Sequence, residues 1–244
     1  MKKVLAIVLV LMCLAICAAM AETPETETEE EPSFTRFWFT RGGYMPSESV
    51  EIFTLDGNWY LCRNEGPAWK IGPEEVKTVD DMIRGYNVLS WDGFKGVDEY
   101  VLDGEGFSMR IEMADGTEIS ASGDNMFPEG YWGVTTELYT FFGEDAFPEK
   151  PGIAGTYVYA TEDGKEITIT VNEDKTYRID GEGISLDGTW FIEGSRFYTS
   201  GKEGYWFSNE FIPVEDALYY ADELSDGFEG AEVPDLARFE KQEK

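Results

Sequence analysis

The sequence predicts an α+β fold, in which an N-terminal ββα-ββα domain is followed by a small antiparallel β-barrel or sandwich. Three observations predict it. Hairpin patterns turn on Asp56-Gly57 and on Asp115-Gly116, and each leads, about twenty residues later, into an amphipathic helical pattern. Beyond residue 152 the helical period vanishes. Short strand patterns with Gly or Asp at their corners then recur at roughly ten-residue spacing, as small all-β domains do.

The chain opens with an export pattern. Lys2 and Lys3 precede an unbroken apolar run over residues 4–21, and Ala19-Met20-Ala21 sets small residues where a signal peptidase reads. Cleavage is therefore expected between Ala21 and Glu22, making 1–21 a signal peptide. An uncleaved anchor is the alternative, since the run reaches the lower edge of what spans a bilayer. Leu14-Ala15-Ile16-Cys17 resembles a lipobox, which implies lipidation at Cys17 as a third form. Residues 22–32 (ETPETETEEEP) offer nothing to bury and are expected to be a disordered acidic tether.

The domain at 33–143 starts with a dense aromatic strand containing Phe34, Phe37, Trp38 and Phe39. Val50 to Leu55 and Trp59 to Cys62 flank Asp56-Gly57-Asn58, where Asp-Gly supplies the positive φ values that tight hairpins require. The spacing then predicts a helix with Thr78 as N-cap and Asp81 as its reciprocal partner. Val79, Met82, Ile83 and Tyr86 form its apolar face, and Asn87 ends it. Trp91 follows closely enough to fold back beneath the loop it opens. Phe107, Met109, Ile111 and Met113 alternate with polar residues, as a strand with one buried face does. A second helix carries Val134, Leu138, Phe141 and Phe142 and stops at Gly143. Residues 144–152 read as a linker, so the two domains are expected to separate there. Residues 153–240 read as the β domain.

Composition removes whole classes of chemistry. The net charge is −30, from 19 basic and 49 acidic residues, so no nucleic-acid partner is expected, because phosphate contacts need Lys and Arg. Membrane contact is expected only through the N-terminal segment, if that is uncleaved or lipidated. There is no histidine, which excludes Ser-His and Cys-His nucleophiles and histidine-ligated metals. Past residue 21 only Cys62 remains, so no disulfide forms within the mature chain.

Four candidate sites follow. Asp92, Asp98, Asp103 and Glu105 lie in one loop, but their spacing is not that of an EF-hand, and they read as a solvated loop. Ser122-Gly123-Asp124-Asn125-Met126-Phe127-Pro128 could present Asp124 and Asn125; the simpler reading is a strand-to-helix connection plugged by Phe127. Asp180 with Glu182 is one of many carboxylate pairs, and nothing marks it as catalytic. Trp190, Tyr198, Trp206, Tyr219 and Tyr220 could line a pocket or a sugar-stacking face, although aromatics on alternating strand positions ordinarily form core. No catalytic residue, metal site or cofactor is assigned, and the ligand-binding residues stay unassigned.

Gly155-Thr156-Tyr157, the strand-turn from Ile167 to Ile179, Gly188-Thr189-Trp190, and Leu218-Tyr219-Tyr220 with Phe228 and Phe239 resemble the small lipocalin-like domains of bacterial exported proteins. Tyr86-Asn87, Trp91-Asp92-Gly93-Phe94, Ser122 to Asn125, Phe127-Pro128 and Gly130-Tyr131 resemble an uncharacterised domain of bacterial exported proteins and lipoproteins. The expected function is an extracytoplasmic, non-catalytic module, secreted or on the cell surface, that binds a protein or a small molecule. The alternatives are a small-ligand or lipid carrier using the β domain and a secreted hydrolase built on carboxylates.

Overall fold

The computed structural model describes residues 32–43, 47–101, 104–143, 152–181, 183–201, 207–221, 228 and 233–242. The expected signal peptide, nearly all of the expected tether, and residues 144–151 of the expected linker lie outside them, as do Asp103, Glu182 and Trp206. Among the described residues no helix is long and apolar enough to cross a membrane.

The N-terminal part is one seven-stranded sheet. Its elements run β1 (Phe34–Gly43), β2 (Glu48–Leu55), β3 (Asn58–Arg63), β4 (Trp69–Ile71), α1 (Pro73–Gly85), β5 (Lys95–Val97), β6 (Glu105–Met113), β7 (Glu118–Asp124) and α2 (Tyr131–Phe141). The spatial order is β4-β3-β2-β1-β6-β7-β5, antiparallel throughout except where β5 runs parallel to β7. The aromatic strand β1 is the join, pairing with β2 on one side and β6 on the other. The first hairpin turns as expected, with Asp56 at φ 49° and Gly57 at φ 70°. In the second, Gly116 takes the positive φ, and the Asp115 carboxylate accepts the Thr117 N–H at 2.9 Å.

Period-two alternation decides what each face of the sheet touches. Phe37, Phe39, Val50, Ile52, Leu61, Phe107, Met109 and Ile111 point to one face and pack with Val76, Val79, Ile83, Val134 and Leu138 of the helices in a common core. The first helix starts earlier than the hydroxyl signal suggests. Pro73, with φ already suited to a helix, opens it, and the Glu75 carboxylate accepts the Gly72 N–H at 3.0 Å. Thr78 therefore lies inside the helix, its hydroxyl donating to Glu74 O at 2.9 Å. Asp81 makes an ion pair with Lys77 rather than a cap. Asn87 takes the expected left-handed φ of 52°, and a 3-10 turn over Val88–Trp91 follows.

The C-terminal part is a closed barrel of β8 (Gly155–Ala160), β9 (Glu166–Val171), β10 (Thr176–Gly181), β11 (Ile184–Glu193), β12 (Arg196–Gly201), β13 (Phe207–Val214), β14 (Ala217–Ala221) and β15 (Arg238–Lys241). Sequence neighbours pair antiparallel, and β15 closes the ring by pairing Glu240 with Val158 and Lys241 with Tyr157. Closure removes the exposed edges that an open sheet of this length would leave. Tyr157, Tyr177, Ile179, Phe197, Phe211, Tyr220, Phe228 and Phe239 fill the interior.

The two parts meet over a third apolar cluster. Phe53, Leu55, Tyr60 and Cys62 from the helix-free face of the sheet pack with Ile212, Val214, Ala217 and Tyr219 on the outside of the barrel, and Ala68 lies between them. Backbone bonds stitch the seam: Ala68 N–H donates to Pro213 O at 2.9 Å, Glu215 N–H to Ala68 O at 3.1 Å, and Gly66 N–H to Gly194 O at 3.0 Å.

Candidate functional site on the open face of the sheet

The barrel covers only the β2–β3 end of the helix-free face. The rest carries Arg36, Trp38 and Thr40 of β1, Ser108, Arg110 and Glu112 of β6, and Glu118, Ser120 and Ser122 of β7, which the register places in rows. Glu51, Trp38, Arg110 and Ser120 are successive cross-strand neighbours, and so are Ser49, Thr40, Ser108 and Ser122. Where this face meets the β11–β12 hairpin there is a cleft of about 820 Å³, whose lining includes Arg36, Trp38, Glu51, Glu65, Ser195 and Arg196.

The arginines of the cleft are paired. Arg36 Nε donates to Glu51 Oε1 at 2.8 Å, its Nη2 reaches the same oxygen, and Glu112 lies 3.7 Å from Nη1. Arg110 Nη2 donates to Glu118 at 2.6 Å. Across the cleft Arg196 Nε lies 3.2 Å from Glu210, and its Nη1 is buried without an acceptor among the described residues. Burial, with the Glu210 carboxylate nearby, raises the Tyr198 phenol above its ordinary value.

Besides Arg196 Nη1, two groups in the cleft have unused capacity. The Glu51 side chain is only 7% exposed, and both bonds from Arg36 fall on Oε1, so among the described residues Oε2 accepts nothing. Trp38 is partly buried, yet among the described residues no ring or cation packs on its indole and its Nε1–H has no acceptor. The other described tryptophans are engaged. Trp59 packs on Phe34, Trp91 donates to Glu129 O at 3.0 Å, Trp132 packs on Phe127, and Trp190 donates to Asn172 O at 3.0 Å; Trp69 also has a partner.

The candidates read from sequence do not converge. Asp92 accepts the Ser120 N–H at 3.1 Å, Asp98 accepts the Tyr100 N–H at 3.0 Å, and Glu105 accepts the Tyr131 hydroxyl at 2.7 Å, so each serves a local bond. Among the described residues no group of three acids or cysteines is placed to hold a metal ion. Residues 122–128 carry the chain from β7 to α2. Asn125 takes a left-handed φ of 59°, and Phe127 stacks on Tyr131 at 4.3 Å. Asp180 is tied to Arg178 at 2.6 Å. Of the five aromatics, the four among the described residues scatter: Trp190 and Tyr220 are barrel core, Tyr219 belongs to the seam, and Tyr198 stacks outside on Phe191 at 5.1 Å. Sequence reasoning passed over Trp38 by counting it with the aromatic strand. The signal was the alternation itself, since Arg36, Trp38 and Thr40 share a parity opposite to that of Phe37 and Phe39.

Comparison with known proteins finds no family model, no curated protein and no solved structure that matches this chain.

Proposed function

We propose that the protein is an exported, non-catalytic binding module whose ligand sits in the cleft over Trp38. The observation that carries this reading is Trp38 itself, a large aromatic plane held partly buried in a polar cleft with none of the partners that engage the other described tryptophans. Rigid aromatics at such positions offer large contact area at little entropic cost, and a few placed polar groups beside them fix orientation.

Export is supported by Lys2-Lys3, the apolar run and the Ala19-Met20-Ala21 pattern ahead of Glu22. A module rather than a hydrolase is favoured because Glu51, the buried carboxylate of the cleft, is committed to Arg36. The lipocalin-like reading of the barrel is supported by its eight sequentially paired strands, and the ββα repeat by the two Asp-Gly hairpins with a helix after each. The filled interior favours the cleft over the barrel as the binding site. One feature speaks for a carrier: Asn209, fully buried and on the strand parity of Phe211, has both amide atoms without a partner among the described residues.

A thermal-shift screen of the exported chain against sugars, peptides and nucleotides tests the proposal. Ligands that raise the melting temperature of wild type should lose that effect in Trp38→Ala. Shifts that survive the substitution would place the binding site elsewhere.

A further inference from the structure

We infer that the ligand of this face is a neutral oligosaccharide lying across the strands, which rests on the reading of the Trp38 cleft as the binding site. Charge decides first. Each cleft arginine already has a carboxylate beside it, so a phosphate or carboxylate ligand that reached a guanidinium would meet that carboxylate's repulsion. A net charge of −30 repels polyanions before they arrive. A cationic ligand would find Glu65 and Glu193 in the lining, but at the ring itself it would lie between two guanidinium groups, since Arg36 precedes Trp38 on its own strand face and Arg110 is its cross-strand neighbour. An uncharged ligand meets neither penalty.

The groups with spare capacity then define what that ligand carries. Trp38 offers a face for a flat apolar surface, and Glu51 Oε2, on the neighbouring strand, has room for a donor. A pyranose supplies both at once, with axial C–H groups on its face and hydroxyls around its rim. Guanidinium N–H groups and the Ser49, Thr40, Ser108 and Ser122 hydroxyls provide further partners for such a rim.

A peptide fits worse. Strand partners have already taken the sheet's backbone groups here, and an extended peptide gains its main-chain bonds at a sheet edge. Laid on the face, its amides would be buried without partners.

The length of the groove favours a chain over a single sugar. Thr40 and Ser47 line both the Trp38 cleft and a second hollow of about 360 Å³, whose floor includes Gly42, Gly106 and Gly123. From β2 through β1, β6 and β7 to β5 the face is about 19 Å wide at about 4.8 Å per strand.

Calorimetric titration of the exported chain with cellohexaose, maltohexaose, xylohexaose and chitohexaose tests the inference, beside hexagalacturonate and a set of extended polar peptides. At least one neutral hexamer should bind, and more tightly than its dimer. Trp38→Ala should weaken it at least about tenfold, as loss of an aromatic anchor does. Trp38→Phe, which keeps a stacking plane, should retain most of the affinity, and Trp132→Ala, at an exposed site outside the groove, should change nothing. Melting curves establish that each variant is folded. If the hexagalacturonate or a peptide binds through Trp38 and no neutral hexamer does, the saccharide inference fails while the cleft reading stands. If a neutral hexamer binds equally well to Trp38→Ala, both fail. If no probe binds, the inference fails.

Discussion

Two tryptophans on opposite faces of one sheet have opposite fates. Trp91 lies on the helix-covered side, 3% exposed, its ring against Phe107 and Tyr131 and its N–H on a backbone carbonyl. Trp38 lies on the other side, between paired charges, with none of these. The first face is apolar and uses its aromatics for stability. The second is apolar only where the barrel covers it, so its uncovered aromatic contributes little to folding and is available for recognition. The variants below either sharpen that contrast or break it.

The largest effect belongs to Trp91. Trp91→Ala should cost about 3–5 kcal/mol in denaturant unfolding, the range for removing a buried ring. A loss well under about 1 kcal/mol would mean that the ring is not core. Next comes the seam, where Ile212 is 5% exposed between sheet and barrel. Ile212→Ala should cost about 2 kcal/mol or somewhat more. A protease site introduced between Phe147 and Pro151 should yield two fragments that stay together on gel filtration. Fragments that part would show the seam to be too weak to hold them.

Tyr60 gives a pH signature at the same seam. Burial, with Tyr219 beside it, pushes its phenol up to about 12. Because the folded value exceeds the unfolded one of about 10, the stabilising contribution is complete below pH 10 and is lost as pH rises toward 12. Tyr131, Tyr139 and Tyr157 are raised by burial in the same direction. Melting temperature should therefore fall steadily above about pH 10, with phenolate absorbance appearing as the chain unfolds. Smooth phenolate formation in a chain that stays folded would contradict their burial.

The smallest effect is the informative one. Trp38→Ala should change stability by no more than about 0.5 kcal/mol, as surface substitutions usually do. A loss of several kcal/mol would make Trp38 structural and erase the contrast.

Much of this fold was legible because alternation and turn chemistry are local. Phe107, Met109 and Ile111 announce a half-buried strand, and Asp56-Gly57 announces its hairpin. The start of the first helix was misplaced because a hydroxyl cap at Thr78 competed with Pro73 and Glu75, and only the backbone path shows which pair is used. The candidate site was not legible. It depends on β1 pairing with β6 across some seventy residues of chain, and on the β11–β12 hairpin reaching back over the sheet. Neither the pairing nor the reach has a local signature, so Glu51, Trp38, Arg110 and Arg196 could not be grouped beforehand.

The most direct test of the Trp38 cleft is nitrogen-15 NMR of the indole N–H groups during titration with whichever hexamer binds, the Trp38 signal being assigned from Trp38→Phe. The Trp38 signal should move while those of Trp91 and Trp190, tied to the carbonyls of Glu129 and Asn172, stay in place. A stationary Trp38 signal with movement at Trp91 or Trp190 would contradict it.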